Sequence, residues 1–255
     1  MNNMGLVDLE KLRKQKNKCD FRGKSAYCFV DGNKIIKVYA SEHDHGFITL
    51  DRKNIVDFSK YISDTIVFPD KYLYDKGMKS GEVMDYIKND IISSSLNDKL
   101  NIRKLIDNYE VATFDIYTYS NIVMCDLCSV NILYSENNGF HIIDTTEWEL
   151  NKKNNNSYNM NRFNAYILRS LLTYLDIDVL YEYCNTVLDK DFKKNILKYG
   201  SQGKELCHIL EYNINSKYDI LSLIYAYMAI YQKYYNKELN TLGNIKEMTK
   251  ILKKG

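Results

Sequence analysis

The chain has 255 residues, 45% of them hydrophobic, enough to bury a full core as one large domain or as two small, closely packed lobes. Thirty-five Lys and Arg stand against thirty-three Asp and Glu, and a formal net charge of +2 gives no electrostatic case for a nucleic-acid or membrane-surface partner. The N-terminus lacks a charged start followed by an apolar run, and the longest apolar stretch, 220–230, is too short to span a bilayer, so a cytoplasmic protein is expected.

The six cysteines, Cys19, Cys28, Cys125, Cys128, Cys184 and Cys207, are dispersed, which points to reduced thiols rather than a disulfide framework. Cys125 and Cys128 form a C-x-x-C pair, but a tetrahedral zinc site needs a second ligand pair and none stands at metal-like spacing. His43, His45, His141 and His208 read as surface or packing residues. The mildly basic stretches 11–18 and 250–254 read as solvated termini.

In chain order, two short alternating runs, 27–30 and 34–39, flank Asp31-Gly32-Asn33, a hairpin signal because Gly and Asn tolerate positive φ. Residues 50–62 carry Ile55, Phe58 and Ile62 at helical spacing and predict a helix. Strands are predicted at 65–68, 72–74 and 82–87, the last two separated by a turn at Lys76-Gly77. Sheet plus one helix makes a small first lobe.

From Asp98 the pattern changes. Ile102, Leu105, Ile106 and Tyr109 recur every three or four residues, as in a helix packed on a core. Residues 131–134 and 140–143 predict a second hairpin around Asn138-Gly139, followed by a polar loop at 151–156. Phe163, Ile167, Leu171 and Leu175 mark a further helix, and 220–231 a buried one, so the last hundred residues are expected to be mainly helical. Trp148 reads as a packing anchor near Asp144.

The segment Cys125-Asp126-Leu127-Cys128-Ser129-Val130-Asn131-Ile132-Leu133 places an acid and an amide five residues apart just before the second hairpin. Asp144 follows at the end of that hairpin's second strand. A hairpin folds its ends together, so Asn131 entering and Asp144 leaving can share a divalent cation, and oxygen ligands of this kind suit Mg2+. Asp126 is placed to accept a proton from an incoming hydroxyl.

These residues resemble the protein-kinase superfamily, in a divergent, bacterial-type form, whose catalytic loop reads H-R-D-L-x-x-x-N and whose metal aspartate follows a short hairpin. The resemblance covers roughly 21–148. It implies an α+β, two-lobed protein-kinase-like fold: a 1–20 extension, an antiparallel-sheet N-lobe with one helix at 21–86, and a mainly helical C-lobe at 87–255. It implies Asp126 as catalytic aspartate and Asn131 and Asp144 as metal ligands. Lys34-Ile35-Ile36-Lys37 is similar to the family's V-A-I-K strand, making Lys37 the lysine that pairs the α- and β-phosphates of ATP. With a period of two, Ile35 shares the face of Lys37 and covers the adenine. Gly23-Lys24-Ser25 resembles a reduced glycine-rich loop, with Gly23 and Ser25 at the phosphates. Val83-Met84-Asp85-Tyr86-Ile87 resembles the hinge, with Met84 behind the adenine and the backbone of Asp85 and Ile87 at its edge.

The sequence departs from the family at defined points. No glutamate lies in 50–62 to pair Lys37, leaving Asp51, with Asp57 as fallback. Met124-Cys125 stands for His-Arg, Cys128 for the basic residue after the catalytic aspartate, and Thr145-Thr146 for Phe-Gly. The activity implied is ATP- and Mg2+-dependent transfer of the γ-phosphate to a hydroxyl of a protein Ser or Thr or of a small molecule. The alternative is a pseudokinase, a nucleotide-binding regulatory module that transfers nothing. No nucleic-acid or membrane partner is expected.

Overall fold

The computed structural model describes residues 8–41, 44, 46–171, 174, 238 and 240–245. Helix α1 (Leu9–Lys14) leads into strands β1 (Phe21–Arg22), β2 (Ala26–Asp31), β3 (Lys34–Tyr39), β4 (Lys71–Asp75) and β5 (Met78–Asp85). These strands form a five-stranded antiparallel sheet in the order β1-β2-β3-β5-β4. The β2–β3 turn contains Gly32 at φ 62 and the β4–β5 turn contains Lys76 at φ 50 and Gly77 at φ 79. A left-handed backbone at both turns closes hairpins in register, as their residue types predict.

The sheet has two unlike faces. Ile36 and Val38 of β3 point outward with Tyr27, Phe29, Leu73 and Val83 into one apolar cluster. Leu9 and Leu12 of α1 pack against this cluster, and Arg13 reaches Asp75 of β4 at 2.7 Å. Residues 11–18 are therefore not simply a solvated terminus. Their apolar members cover the sheet while the charged ones, such as Lys16 paired to Asp44 at 2.7 Å, face water.

On the inner face, Ala26, Tyr39 and Tyr72 pack against Ile55 and the partly buried Leu50. The helix predicted at 50–62 is not formed: the segment is turns and extended chain. Asp51 accepts from the Lys53 amide at 3.3 Å and from Asn54 at 2.7 Å, and Asp57 accepts from the amide and hydroxyl of Ser59. Such local side-chain bonds offer the backbone an alternative to helix. The three apolar residues at helical spacing also fail to share a face: Ile55 joins the inner sheet cluster, Phe58 joins the second core, and Ile62 is exposed.

Past β5 the chain forms β6 (Asp90–Ile91), α2 (Ile92–Ser95), α3 (Ile102–Thr118), β7 (Ile122–Val123), β8 (Ile132–Ser135), β9 (Gly139–Ile142), β10 (Glu149–Leu150) and α4 (Asn156–Leu171). Helix α3 starts at Asn101, whose side chain accepts from the Lys104 amide at 3.2 Å, and buries Ile102, Leu105, Ile106, Tyr109, Ala112 and Ile116 on one face. That face meets the β8–β9 hairpin and α4, where Phe163, Ile167 and Leu171 are buried. Strands β6, β8 and β9 form one small antiparallel sheet, and β7 pairs with β10 in another.

Residues 65–68 do not form a strand of either sheet. Ile66 makes a single parallel bridge to Ile142, with Val67 donating to the Ile142 carbonyl at 2.9 Å and Ile142 to that of Thr65 at 2.8 Å. Trp148 is buried in the second core, edge-on to Phe68. Leu175 and the helix expected at 220–231, with Cys184, Cys207, His43, His45 and His208, lie outside the described residues.

Candidate active site

The site lies where the inner face of the five-stranded sheet meets the β8–β9 hairpin and the loop before it. A cavity of about 770 Å3 opens there, lined by Gly23, Cys28, Ile35 and Lys37 on one side and Leu133, Ile143 and Asp144 on the other. Met84, Asp85 and Ile87 close its back. Alternation along β3 places Ile35 and Lys37 together on this wall while Ile36 and Val38 enter the outer core.

Chain entry and exit at the cavity follow from backbone bonding. The Tyr86 amide donates to the Asn33 carbonyl at 2.9 Å, continuing the β3–β5 ladder, whose alternation turns the backbone groups of Asp85 and Ile87 to the opposite side. Gly23 donates its amide to the Ala26 carbonyl at 3.0 Å, making a tight turn at the cavity mouth. Ser25 does not line the cavity. Its carbonyl accepts from the Ala40 amide at 2.8 Å, which ties it to the sheet end.

Lys37 is buried, and its ammonium meets three groups: an ion pair with Asp144, the Thr146 hydroxyl at 2.6 Å, and Glu82 at 3.3 Å. Burial works against its charge, but Glu82 and Asp144 together raise its pKa above the ordinary lysine value. Burial likewise opposes the Asp144 carboxylate, yet Lys37 and Thr146 hold its pKa below the usual range. Asp144 sits at φ 65, a left-handed conformation that Asp adopts more readily than most residues, at the point where β9 ends.

Glu82 was not singled out by sequence. It is fully buried on β5, where it is the cross-strand partner of Lys37. Its Oε2 accepts from the Tyr39 hydroxyl at 3.0 Å and its Oε1 from Thr146 at 2.9 Å. Burial, and then the Glu82 charge, push the Tyr39 phenol upward, so it stays a donor. Asp51, the acid expected to pair Lys37, is exposed and closed into its own turn. The signal that could have found Glu82 was a lone acid at an inward position of a strand predicted to neighbour β3, which a buried cation must answer.

The β8–β9 ladder continues one pair beyond its strands, to Asn131 and Ile143. The Ile143 amide donates to the Asn131 carbonyl at 2.9 Å, one residue before Asp144. Asn131 is buried and its Nδ2 donates to the Asp126 carbonyl at 2.9 Å and toward Asp126 Oδ2 at 3.4 Å. The amide's Oδ1 is thus the end left to act as a ligand.

The loop bearing Asp126 is clamped from α4. Buried Asn159 accepts from the Met124 amide at 3.0 Å and donates to the Ile122 carbonyl at 2.8 Å, while Arg162 donates to the Cys125 carbonyl at 2.8 Å. Asn159 and Arg162, three apart on one helical face, were also not singled out, because a polar pair on an asparagine-rich helix looks like solvated surface.

The acidic side of the cleft includes Glu147. Burial, then Asp126 and Asp144, raise its pKa, while Lys37 and Lys24 work in the opposite direction. Lys24 also lowers the Cys128 thiol, though burial leaves that thiol raised. Lys24 therefore sits within electrostatic reach of the loop whose own basic position is Cys128. Burial pushes the Cys28 thiol up to about 11, so it is a neutral wall of the cavity rather than a nucleophile at neutral pH.

Among the described residues, no group of three or more His, Cys, Asp or Glu is gathered to hold a metal by itself. The Cys125/Cys128 pair accordingly has no partners among them. Two oxygen donors, Asn131 Oδ1 and Asp144, fit a hard divalent cation that keeps waters and takes its remaining ligands from phosphate. His141 is half-buried and bonded at 3.2 Å to Asn89, which lines the cavity. No described helix is long and apolar enough to cross a membrane.

No family model matches the chain. No curated protein matches it either. Among solved structures, the chain is similar to the kinase PK-1 of Cydia pomonella granulovirus at 13% identity and a TM-score of 0.35. The similarity covers 55% of this chain and 56% of that one, so the chain spans about half the length of this neighbour. The residues of the cleft, and not that likeness, carry the functional conclusion.

Proposed function

We propose that this chain is a two-lobed, protein-kinase-like phosphotransferase that moves the γ-phosphate of ATP to a hydroxyl acceptor, with a divalent cation such as Mg2+. The observation that carries this reading is the meeting of Lys37 with Asp144 on the wall of one cavity; Asn131 and Asp126, bonded to each other, do not line that cavity and come to it through the loop and hairpin that do. An adenine base would lie between Ile35 and Leu133, with Met84 behind it and the backbone of Asp85 and Ile87 at its edge. Lys37 would orient the α- and β-phosphates, under the turn at Gly23.

A divalent cation held by Asn131 Oδ1 and Asp144 would neutralise phosphate charge during transfer. Asp126, fixed through Asn131, would align the acceptor hydroxyl. As the hydroxyl oxygen bonds to the γ-phosphorus, the bond to the β,γ-bridging oxygen breaks, ADP leaves, and the hydroxyl proton passes to the Asp126 carboxylate. Catalysis of this kind is mostly positioning and charge neutralisation.

One observation favours a second reading, a nucleotide-binding module without transfer. The Lys37 ammonium is already engaged within the protein: it donates to Asp144 and Thr146 and forms an ion pair with Glu82 at 3.3 Å. Parallel incubations with γ-labelled and with α-labelled ATP separate the two. The phosphotransfer reading expects label on the protein or an added acceptor, dependent on Mg2+ and abolished by Asp126→Asn and by Asp144→Asn. Binding of ATP with no transferred label supports the second reading, label retained only from the α-phosphate indicates nucleotidyl transfer, and a folded protein that binds no ATP sinks both.

A further inference from the structure

We propose that Glu82 is the positioning residue for Lys37, and that because it is carried by β5, the strand laddered to β3, the lysine is set whenever the sheet is folded, with no separate activation step. This deepens the phosphotransfer reading and rests on it for the role of Lys37, though not for the geometry.

Glu82 and Lys37 are directly opposed residues of adjacent antiparallel strands, so their side chains share the inner face. Their register cannot slip by one residue without turning every inward side chain of β5 outward, including Glu82 and Met84. Close approach of the two strands is built in at the preceding residue: a Cβ on Gly81 would lie 2.5 Å from the Lys37 carbonyl oxygen.

Each carboxylate oxygen of Glu82 is also fixed. Tyr39, on the same face of β3, donates to Oε2, and Thr146, two residues past Asp144, donates to Oε1. A fully buried carboxylate requires a neutralising partner, so Glu82 demands Lys37 as strongly as Lys37 demands an acid. An acid on a separately packed helix moves with that helix. An acid on the neighbouring strand moves only if backbone hydrogen bonds break. Among the described residues between β3 and β4 there is no helix, and the acids Asp51 and Asp57 there are closed into local turns.

Glu82→Gln tests this, because it removes the charge while keeping the volume and an acceptor for Tyr39. Two readouts are taken on the full chain: the side-chain environment of Lys37 at neutral pH, followed by NMR on lysine-selectively labelled protein and assigned with Lys37→Arg, and the steady-state kinetics with MgATP. The expected result is a folded variant whose Lys37 side-chain signal moves from its parent position, with kcat/KM for ATP reduced about 10- to 100-fold, the scale of one lost charge-assisted contact. The parent, freshly purified and phosphatase-treated, is expected to transfer phosphate linearly without a lag.

An unchanged Lys37 side-chain signal in folded Glu82→Gln overturns the positioning role, as does kcat/KM within twofold of the parent. A lag, or a requirement for prior phosphorylation, overturns the absence of an activation step. Where Glu82→Gln fails to fold, Tyr39→Phe removes one bond to Glu82 without touching Lys37 and carries the same two readouts, with smaller changes in the same direction expected. A parent that transfers nothing refutes the phosphotransfer reading, and the Lys37 signal then decides the role of Glu82 alone.

Discussion

Lys37 and Asp144 stand 107 residues apart in the chain and form a direct ion pair at the cavity wall, with Thr146 bonded to both. Because the Lys37 ammonium donates to Asp144 and Thr146 and is ion-paired with Glu82 at 3.3 Å, phosphate oxygens must compete with these contacts for it. Asp144 is the partner a divalent cation would draw away. ATP is therefore expected to bind at least tenfold more weakly with EDTA than with Mg2+, and Asp144→Asn is expected to shrink that difference. Calorimetric titration with ATP in both buffers checks this, and equal affinities in the parent would refute it.

Gly81 is expected to tolerate no side chain. A Cβ 2.5 Å from the Lys37 carbonyl oxygen must push β5 from β3, since the obstacle is backbone and not a flexible side-chain end. Gly81→Ala should lower unfolding free energy by about 1–3 kcal/mol, the range for overpacking a close contact. Urea denaturation measures this, and nucleotide affinity should fall with it because Lys37 shifts.

Asn159 is expected to affect turnover without touching substrate. Its side chain satisfies the buried Met124 amide and Ile122 carbonyl at the start of the Asp126 loop. Asn159→Ala leaves both unpaired, at a cost of about 1–3 kcal/mol for each. The loop loosens while the nucleotide wall stays intact, so kcat should fall by more than tenfold with KM for ATP within about threefold, on the scale of that lost positioning. Steady-state kinetics beside a thermal melt separate this from unfolding.

The Lys37–Asp144 pair sets a direction at each pH limit. The folded Asp144 pKa is lowered, so its contribution to stability is present above the unfolded aspartate value of about 3.9 and is lost as pH falls through the folded value. The folded Lys37 pKa is raised, so its contribution is present below about 10.4 and is lost as pH rises above that value. Denaturation midpoints should be level in between as far as this pair is concerned. Lys37→Met should flatten the loss at the alkaline end, measured by melts from about pH 2 to about pH 11, a range that brackets both limits.

Cys28 supplies a reporter of the cavity. With its thiol pushed up to about 11 by burial, alkylation by iodoacetamide should be slow at pH 7.5 and accelerate toward pH 10, about the range over which such a thiol begins to ionise. ATP with Mg2+ should protect it, since Cys28 lines the proposed nucleotide pocket. Peptide mass mapping against exposed thiols reads both effects, and absence of protection would place the nucleotide elsewhere.

Local signals determined much of this protein. Alternation over 34–39 set β3 and its wall, turn residues at Gly32, Gly77 and Gly139 set three hairpins, and apolar spacing set α3. Each depends on residues within one turn or one strand pair, where backbone φ preference and side-chain period suffice. The prediction failed at 50–62, where helical spacing was present but Asp51 and Asp57 bonded their own neighbours. The pairing of Asn131 with Ile143, the residue before Asp144, was legible because a hairpin joins its own ends.

Only tertiary structure decided which acid holds Lys37. Nothing near Lys37 in sequence marks Glu82, 45 positions on, since strand order β1-β2-β3-β5-β4 and the β3–β5 register are long-range choices. The same holds for Asn159 and Arg162, whose partners are backbone groups of a distant loop. The sequence alone determined that a lysine stands within β3, an aspartate and an asparagine in the loop before β8, and a second aspartate just past β9. Their neutralisation required a buried partner across the sheet, because a charge taken out of water must be answered by whatever packing brings beside it.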